Sequence, residues 1–228
     1  MTAMIKLRAT ACISGIAAVC FASTLEAHSL AFRLGRFSPN PQSALWQENL
    51  DTFDIGRQDF DSISGGVEFA LELNEFLDLA VGIDGYSETV ASRYRDFVRD
   101  DGSEIVQELR LSVAPITAGL RFLPAGKFHF LTPYVAGGVG LYPYEYREEG
   151  EFIDFETFDV FGGTFYDDGV GTGLYAAAGV EVPVTRRFTL FGEYRRHWVW
   201  GEHHQDFAGF GDFELNLEQI QFGINLRF

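Results

Sequence analysis

The sequence predicts an all-β fold: an eight-stranded antiparallel up-and-down transmembrane β-barrel with short periplasmic turns and long, acidic, aromatic-rich extracellular loops. Three observations carry that expectation: an export signal at the N-terminus, apolar residues alternating with period two in eight segments, and connections that alternate between short and long. Composition agrees, with 25 Gly, 23 Phe and 9 Tyr in 228 residues, because glycine serves turns while aromatics serve strands and membrane interfaces. No apolar run after residue 27 approaches the length of about 18 residues that a membrane-spanning helix needs. A formal charge of -16 excludes a nucleic-acid partner, since phosphate binding requires a basic face.

In the first 27 residues, Lys6 and Arg8 precede an apolar run over residues 9–22, and Ala22 and Ala27 offer small-residue cleavage points. That is the plan of a secretory signal, whose removal leaves a barrel domain of residues 28–228. The two cysteines, Cys12 and Cys20, both fall in the signal. The mature chain is therefore expected to be free of disulfide, zinc-thiolate and cysteine-nucleophile chemistry.

The first strand sets Leu30, Phe32 and Leu34 against Arg33 and Gly35. The second alternates Val67, Phe69, Leu71 and Leu73 with Glu68, Ala70 and Glu72, and the third alternates Leu77, Leu79, Val81 and Ile83 with Asp78, Ala80, Gly82 and Asp84. In the fourth, apolar residues occupy odd positions at Leu109, Leu111 and Val113, then even ones at Ile116, Ala118, Leu120 and Phe122. The slip at Ala114 and Pro115 reads as a β-bulge. The fifth sets Val135, Val139 and Leu141 against Tyr134, Ala136, Gly138 and Gly140. The sixth opposes Leu174, Ala176, Ala178, Val180 and Val182 to Tyr175, Ala177, Gly179 and Glu181, and the seventh opposes Leu190 and Tyr194 to Thr189, Glu193 and Arg195. The eighth has Ile220, Phe222, Ile224, Leu226 and Phe228 on one face, with Gln219, Gln221, Gly223, Asn225 and Arg227 on the other.

Short turns at 74–76, 124–130 and 185–187 alternate with long acidic connections at 38–63, 88–104, 147–170 and 201–214. Phe76, Phe122, Phe128, Phe130, Phe188 and Phe228 gather at the short-turn ends, and Tyr86, Tyr142, Tyr144, Tyr146, Tyr194, Trp198 and Trp200 at the long-loop ends. Two aromatic girdles at two lipid–water interfaces would have that arrangement. With the apolar faces turned to lipid, the lumen receives Arg33, Glu68, Glu72, Asp78, Asp84, Glu108, Arg110, Arg121, Glu181, Glu193, Arg195 and Arg227. An eight-stranded interior has room for little besides side chains, so these charges are expected to pair. The inverse arrangement, a soluble barrel with a ligand cavity, leaves the girdles and the terminal Phe unexplained.

The strand count, the segment PYVAGGVGLYPYEY and the ending QFGINLRF resemble the eight-stranded outer-membrane barrels of the OmpA, OmpX and OmpW type over the whole mature chain. The resemblance implies a monomer in the bacterial outer membrane, in contact with its lipid and lipopolysaccharide. It also implies that Phe222, Ile224, Leu226 and Phe228 form the C-terminal signal read by the barrel-assembly machinery. Function is expected to be structural or interactive within the envelope, with the lumen closed, no cofactor and no catalysis. Two other functions stay open: a narrow OmpW-like conduit or binding site for small hydrophobic molecules, and an enzyme that modifies lipid A in the outer leaflet.

Candidate sites are few. His197, near the outer end of the seventh strand, suits a lipid hydrolase, but Val199 stands where a neighbouring Ser would be wanted, so an interfacial girdle role is expected. Glu202, His203, His204 and Asp206 could ligate a metal, although adjacent loop histidines are usually solvated. The third long loop interleaves Phe152, Phe155, Phe158, Phe161 and Phe165 with eight acids between Glu148 and Asp168. Those five rings are expected either to pack against Phe207, Phe210 and Phe213 of the fourth loop or to form a loop ligand site, the mouth of a path for hydrophobic molecules. The acids could also hold divalent cations, without the spacing of an EF-hand.

Overall fold

The computed structural model describes residues 28–127 and 130–228; the expected export signal and Phe128 lie outside them. Its elements in chain order are β1 (His28–Pro41), α1 (Ala44–Thr52), a 3₁₀ turn (Arg57–Phe60), β2 (Ser62–Asn74), β3 (Leu77–Val98), β4 (Glu104–Val113), β5 (Ile116–Phe122), β6 (Thr132–Ile153), β7 (Val160–Pro183), β8 (Phe188–Glu202), a second 3₁₀ turn (Gln205–Phe210) and β9 (Asp212–Arg227). Each strand pairs antiparallel with its neighbours, and β1 pairs with both β2 and β9, which closes the sheet. β4 and β5 lie end to end between β3 and β6 and form one stave, so nine strand segments make an eight-stranded barrel.

No bulge separates β4 from β5. Val113 pairs with Tyr144 and Ile116 with Leu141, three residues on along both chains. The same step holds on the other side, where Tyr86 meets Val113 and Ile83 meets Ile116. Pro115 and Pro143 interrupt the ladder because neither has an N–H to give, and the Ala114 N–H donates to the Pro143 carbonyl. The inward phase stays on odd residues throughout, from Gln107, Leu109, Leu111 and Val113 to Thr117 and Arg121, all buried. What changes is the surroundings. Along β5 the outer face is apolar and the inner face polar; along β4 the order is reversed.

This exchange recurs around the barrel. On β3 the outward residues pass from Leu79, Val81 and Ile83 to Arg93 and Arg95, while the inward ones pass from Asp78 and Asp84 to Tyr86, Val90 and Tyr94. On β9 the outward Ile220, Phe222 and Ile224 give way to the inward Leu215 and Leu217. The lower half therefore shows a belt of exposed apolar side chains, as lipid requires. The upper half is a water-soluble barrel with its core inside. Glu108 and Arg110, expected in the lumen, are outside and exposed, with Arg110 Nε donating to Thr89 Oγ1 at 3.0 Å.

The upper core also shortens the loops. β3 continues to Val98, β6 to Ile153 and β7 begins at Val160, so the second and third loops contract to 99–103 and 154–159. Strands persist there because their inner faces have a core to bury. It contains Leu109, Leu111, Val113, Leu215 and Leu217 from the wall, and Leu45, Trp46, Phe53 and Phe60 from the first loop, which closes the top with α1. Tyr86, Tyr142, Tyr144 and Tyr146 belong to this core and are buried, not to an outer girdle. Tyr194 and Trp200 do face outward, as do Phe76, Phe122, Phe130, Phe188 and Phe228 at the other end.

Candidate functional site

Within the lipid-facing half, inward alternation brings four arginines and four carboxylates into one buried network among the described residues. Glu68 of β2 is its hub. Arg33 lies 2.7 Å and Arg195 3.0 Å from Glu68 Oε2, and Arg121 pairs with Oε1. Each of these arginines holds a second carboxylate: Arg33 to Asp84 at 2.9 Å, Arg121 to Glu181 at 3.1 Å, and Arg195 to Glu193 at 2.9 Å. Arg227 closes on Glu181 at 2.8 Å. Below them Lys127 pairs with Asp78 and with Glu72, the latter at 3.0 Å.

Neutral groups complete the packing. Tyr134 Oη donates to Glu193 at 3.0 Å and Gln221 Nε2 to Asp84 at 3.2 Å. The Tyr134 and Tyr175 rings cover the guanidiniums of Arg121 and Arg195, at 4.6 and 4.8 Å, contacts that strengthen where water is excluded. Two glycines make room: a Cβ at Gly82 would stand 2.5 Å from Arg33 Nη2, and one at Gly179 would overlap the Tyr134 ring. Desolvation on this scale is repaid only when nearly every charge finds a partner.

His197 caps this layer from inside the barrel, not from the interface. It is fully buried, with Nδ1 2.9 Å from Tyr142 Oη and Nε2 3.0 Å from Gln219 Oε1. Both ring nitrogens are occupied, so it has no free base to offer a nucleophile.

Above the membrane, α1 is tied to the wall by polar contacts. Asn49 Nδ2 donates to Tyr146 Oη and to Glu148 Oε1, each at 2.7 Å, and Tyr146 Oη donates to Glu148 at 2.6 Å. Burial pushes the Glu148 carboxyl and the Tyr146 hydroxyl above their ordinary ranges. The phenylalanines of the third loop divide. Phe152 is buried and meets Phe165 edge-on at 4.8 Å, and Phe165 reaches Phe207 at 6.4 Å, so the third and fourth loops do share rings. Phe155, Phe158 and Phe161 stand 57%, 67% and 43% exposed at the hairpin tip. Phe155 touches Phe97 of the second hairpin at 5.7 Å. Phe158 has φ 63°, a left-handed conformation rare for a bulky side chain. The loop histidines also separate: His203 turns inward to Asp167, while Asp206 accepts from the Tyr166 N–H at 2.9 Å. Among the described residues no group of three or more His, Cys, Asp or Glu is placed to hold a metal ion.

The sequence reading missed Lys127, which reaches the lumen from a short turn, and it did not pair Tyr134, Tyr175 and Gln221 with the charges or Gln219 with His197. The last four were visible as inward positions of β6, β7 and β9. Nothing in the sequence around Lys127 points inward.

No family model and no curated protein matches the chain. Among solved structures, a major outer-membrane protein from Thermus thermophilus aligns over 88% of this chain and 99% of its own, at 9% identity and a TM-score of 0.51. Neisserial surface protein A covers 89% and 97% at 15% identity and 0.48, and Ail of Yersinia pestis 89% and 99% at 13% and 0.44. With its closed sheet and apolar belt, the chain is an eight-stranded transmembrane β-barrel with the fold of the small bacterial outer-membrane proteins.

Proposed function

We propose that this protein is a closed barrel of the bacterial outer membrane that acts as a structural or interaction protein, not as a pore. The observation that carries the reading is the double filling of its interior: charge pairs around Glu68 below and an aromatic and aliphatic core around Tyr142, Leu109 and Leu215 above. A conduit for hydrophobic molecules is less well supported, because the exposed Phe155, Phe158 and Phe161 stand at a hairpin tip and not at a gap in the wall. Those rings, with Phe97 and Val98 beside them, instead suit contact with another molecule outside the cell. The outer belt would meet lipid and lipopolysaccharide. The exposed Phe222, Ile224 and Phe228, with Leu226, would face the assembly machinery during insertion.

In planar bilayers the protein should give no sustained ion current, and liposomes that contain it should take up small hydrophobic solutes no faster than empty ones. Replacing Phe155 and Phe158 by Asp should leave both results unchanged. A stable porin-like current, or uptake abolished by those replacements, would overturn the closed-barrel reading.

A further inference from the structure

The serine that the seventh strand lacks beside His197 occurs beside a different histidine. His203, just beyond β8, has Nδ1 2.8 Å from Asp167 Oδ2 and Nε2 3.4 Å from Ser43 Oγ. The three residues come from β7, the β8–β9 connection and the start of α1, so their meeting is tertiary. Asp167 is fully buried; its Oδ1 accepts the His204 N–H at 2.8 Å, and its Oδ2 lies 3.3 Å from Tyr144 Oη, which is 2.9 Å from the Glu202 carbonyl oxygen. A carboxylate fixed in this way accepts the Nδ1–H hydrogen bond, which keeps the proton on Nδ1 and leaves the Nε2 lone pair facing the serine. Ser43 stands at the N-cap of α1, yet its hydroxyl makes no capping bond, against the usual habit of an N-cap serine. The hydroxyl is thus left to the histidine, next to the first-turn N–H groups of a nine-residue helix that have no partner within it.

We propose that Ser43, His203 and Asp167 form an acyl-transfer triad that hydrolyses small esters, contrary to the expectation of a barrel without catalysis. Ser43 and His203 each keep 5% of their surface exposed. Exposed neighbours in the chain, Gln42 and Ala44 around Ser43 and His204 after His203, put the pair just under the surface. The Phe213 ring packs 5.1 Å from the His203 ring, and the Glu214 carbonyl accepts the N–H of Gln42, the neighbour of Ser43. With so little of the pair open to solvent, the substrate class is a short-chain ester. Ser43 Oγ bonds to the carbonyl carbon as its proton passes to His203 Nε2, and the N–H groups at the start of α1 face the developing oxyanion. Collapse breaks the ester C–O bond, and the alcohol leaves with the proton from His203. A water then attacks the acyl-serine by the same route, gives its proton to His203, and Ser43 regains it as the acid departs. Asp167 acts as a positioning residue.

The test uses the full chain folded in detergent, with folding checked by heat-dependent gel mobility, and a fluorophosphonate probe that modifies activated serines. Mass spectrometry should find the phosphonyl group on Ser43, and Ser43→Ala should carry none. His203→Gln should label slower by about 10³-fold or more. Asp167→Asn should do likewise, whereas Asp167→Glu, which keeps the carboxylate, should label faster than Asp167→Asn. Turnover of p-nitrophenyl acetate should follow the same order. Folded wild-type protein with Ser43 unlabelled overturns the proposal, and so does labelling that His203→Gln leaves at the wild-type rate. Wild-type labelling decides the matter even if a variant fails to fold.

Discussion

Glu68→Ala should destabilise the barrel by about 3–5 kcal/mol, the cost of leaving a buried charge without its partner. In the native network four arginines face four carboxylates. Loss of Glu68 leaves Arg33, Arg121, Arg195 and Arg227 sharing three, with one positive charge uncompensated in a space that lipid surrounds. Denaturant unfolding in liposomes or detergent measures the change. Conductance should not appear, since the Tyr134 and Tyr175 rings and the upper core still fill the interior. A variant as stable as wild type would mean that the ion pairs do not hold the barrel shut.

The second large effect belongs to the upper half. Leu111 is wholly buried and points inward, so Leu111→Ala should cost about 2–5 kcal/mol through lost burial and the cavity left behind. Leu120, nine residues on in the same stave, is 47% exposed on the lipid-facing side. Its replacement by alanine opens no cavity and should cost much less. Equal losses would place both leucines in the same surroundings, as an outward reading of Leu109, Leu111 and Val113 requires.

That contrast shows where the sequence was legible and where it was not. Period-two alternation identifies which residues share a face, and it found the strands that carry Arg33, Glu68, Arg121, Glu181 and Arg195 because a polar inner face against an apolar outer one is unambiguous inside a bilayer. It does not say which solvent each face meets. At Ala114 and Pro115 the register is unbroken while the solvents trade places, and a change of surroundings looks the same as a bulge in one strand. The distinction lies in several strands at once: β3 changes phase between Ile83 and Tyr86 and β9 between Leu217 and Ile220, at the level of the break in the fourth stave. A bulge has no reason to recur in that way, whereas a membrane surface does. Tyr142, Tyr144 and Tyr146 were misplaced for the same reason, since a girdle and a core both ask for aromatics near the interface. The Ser43, His203 and Asp167 meeting was beyond reach, because it depends on how the first and fourth loops fold over a core that alternation alone does not reveal.

The central claim is that the barrel wall exchanges its apolar and polar faces at the membrane surface without a change of register. Single cysteines placed along the fourth stave, in protein with Cys12 and Cys20 replaced, test it most directly through labelling in liposomes with a membrane-impermeant maleimide and a lipid-soluble one. Cysteine at Glu108 or Arg110 should react with both reagents, at Ala118 or Leu120 with the lipid-soluble reagent alone, and at Leu109 or Leu111 with neither. Protection at Glu108 and Arg110, together with lipid-soluble labelling at Leu109 and Leu111, would contradict the account and restore the bulge.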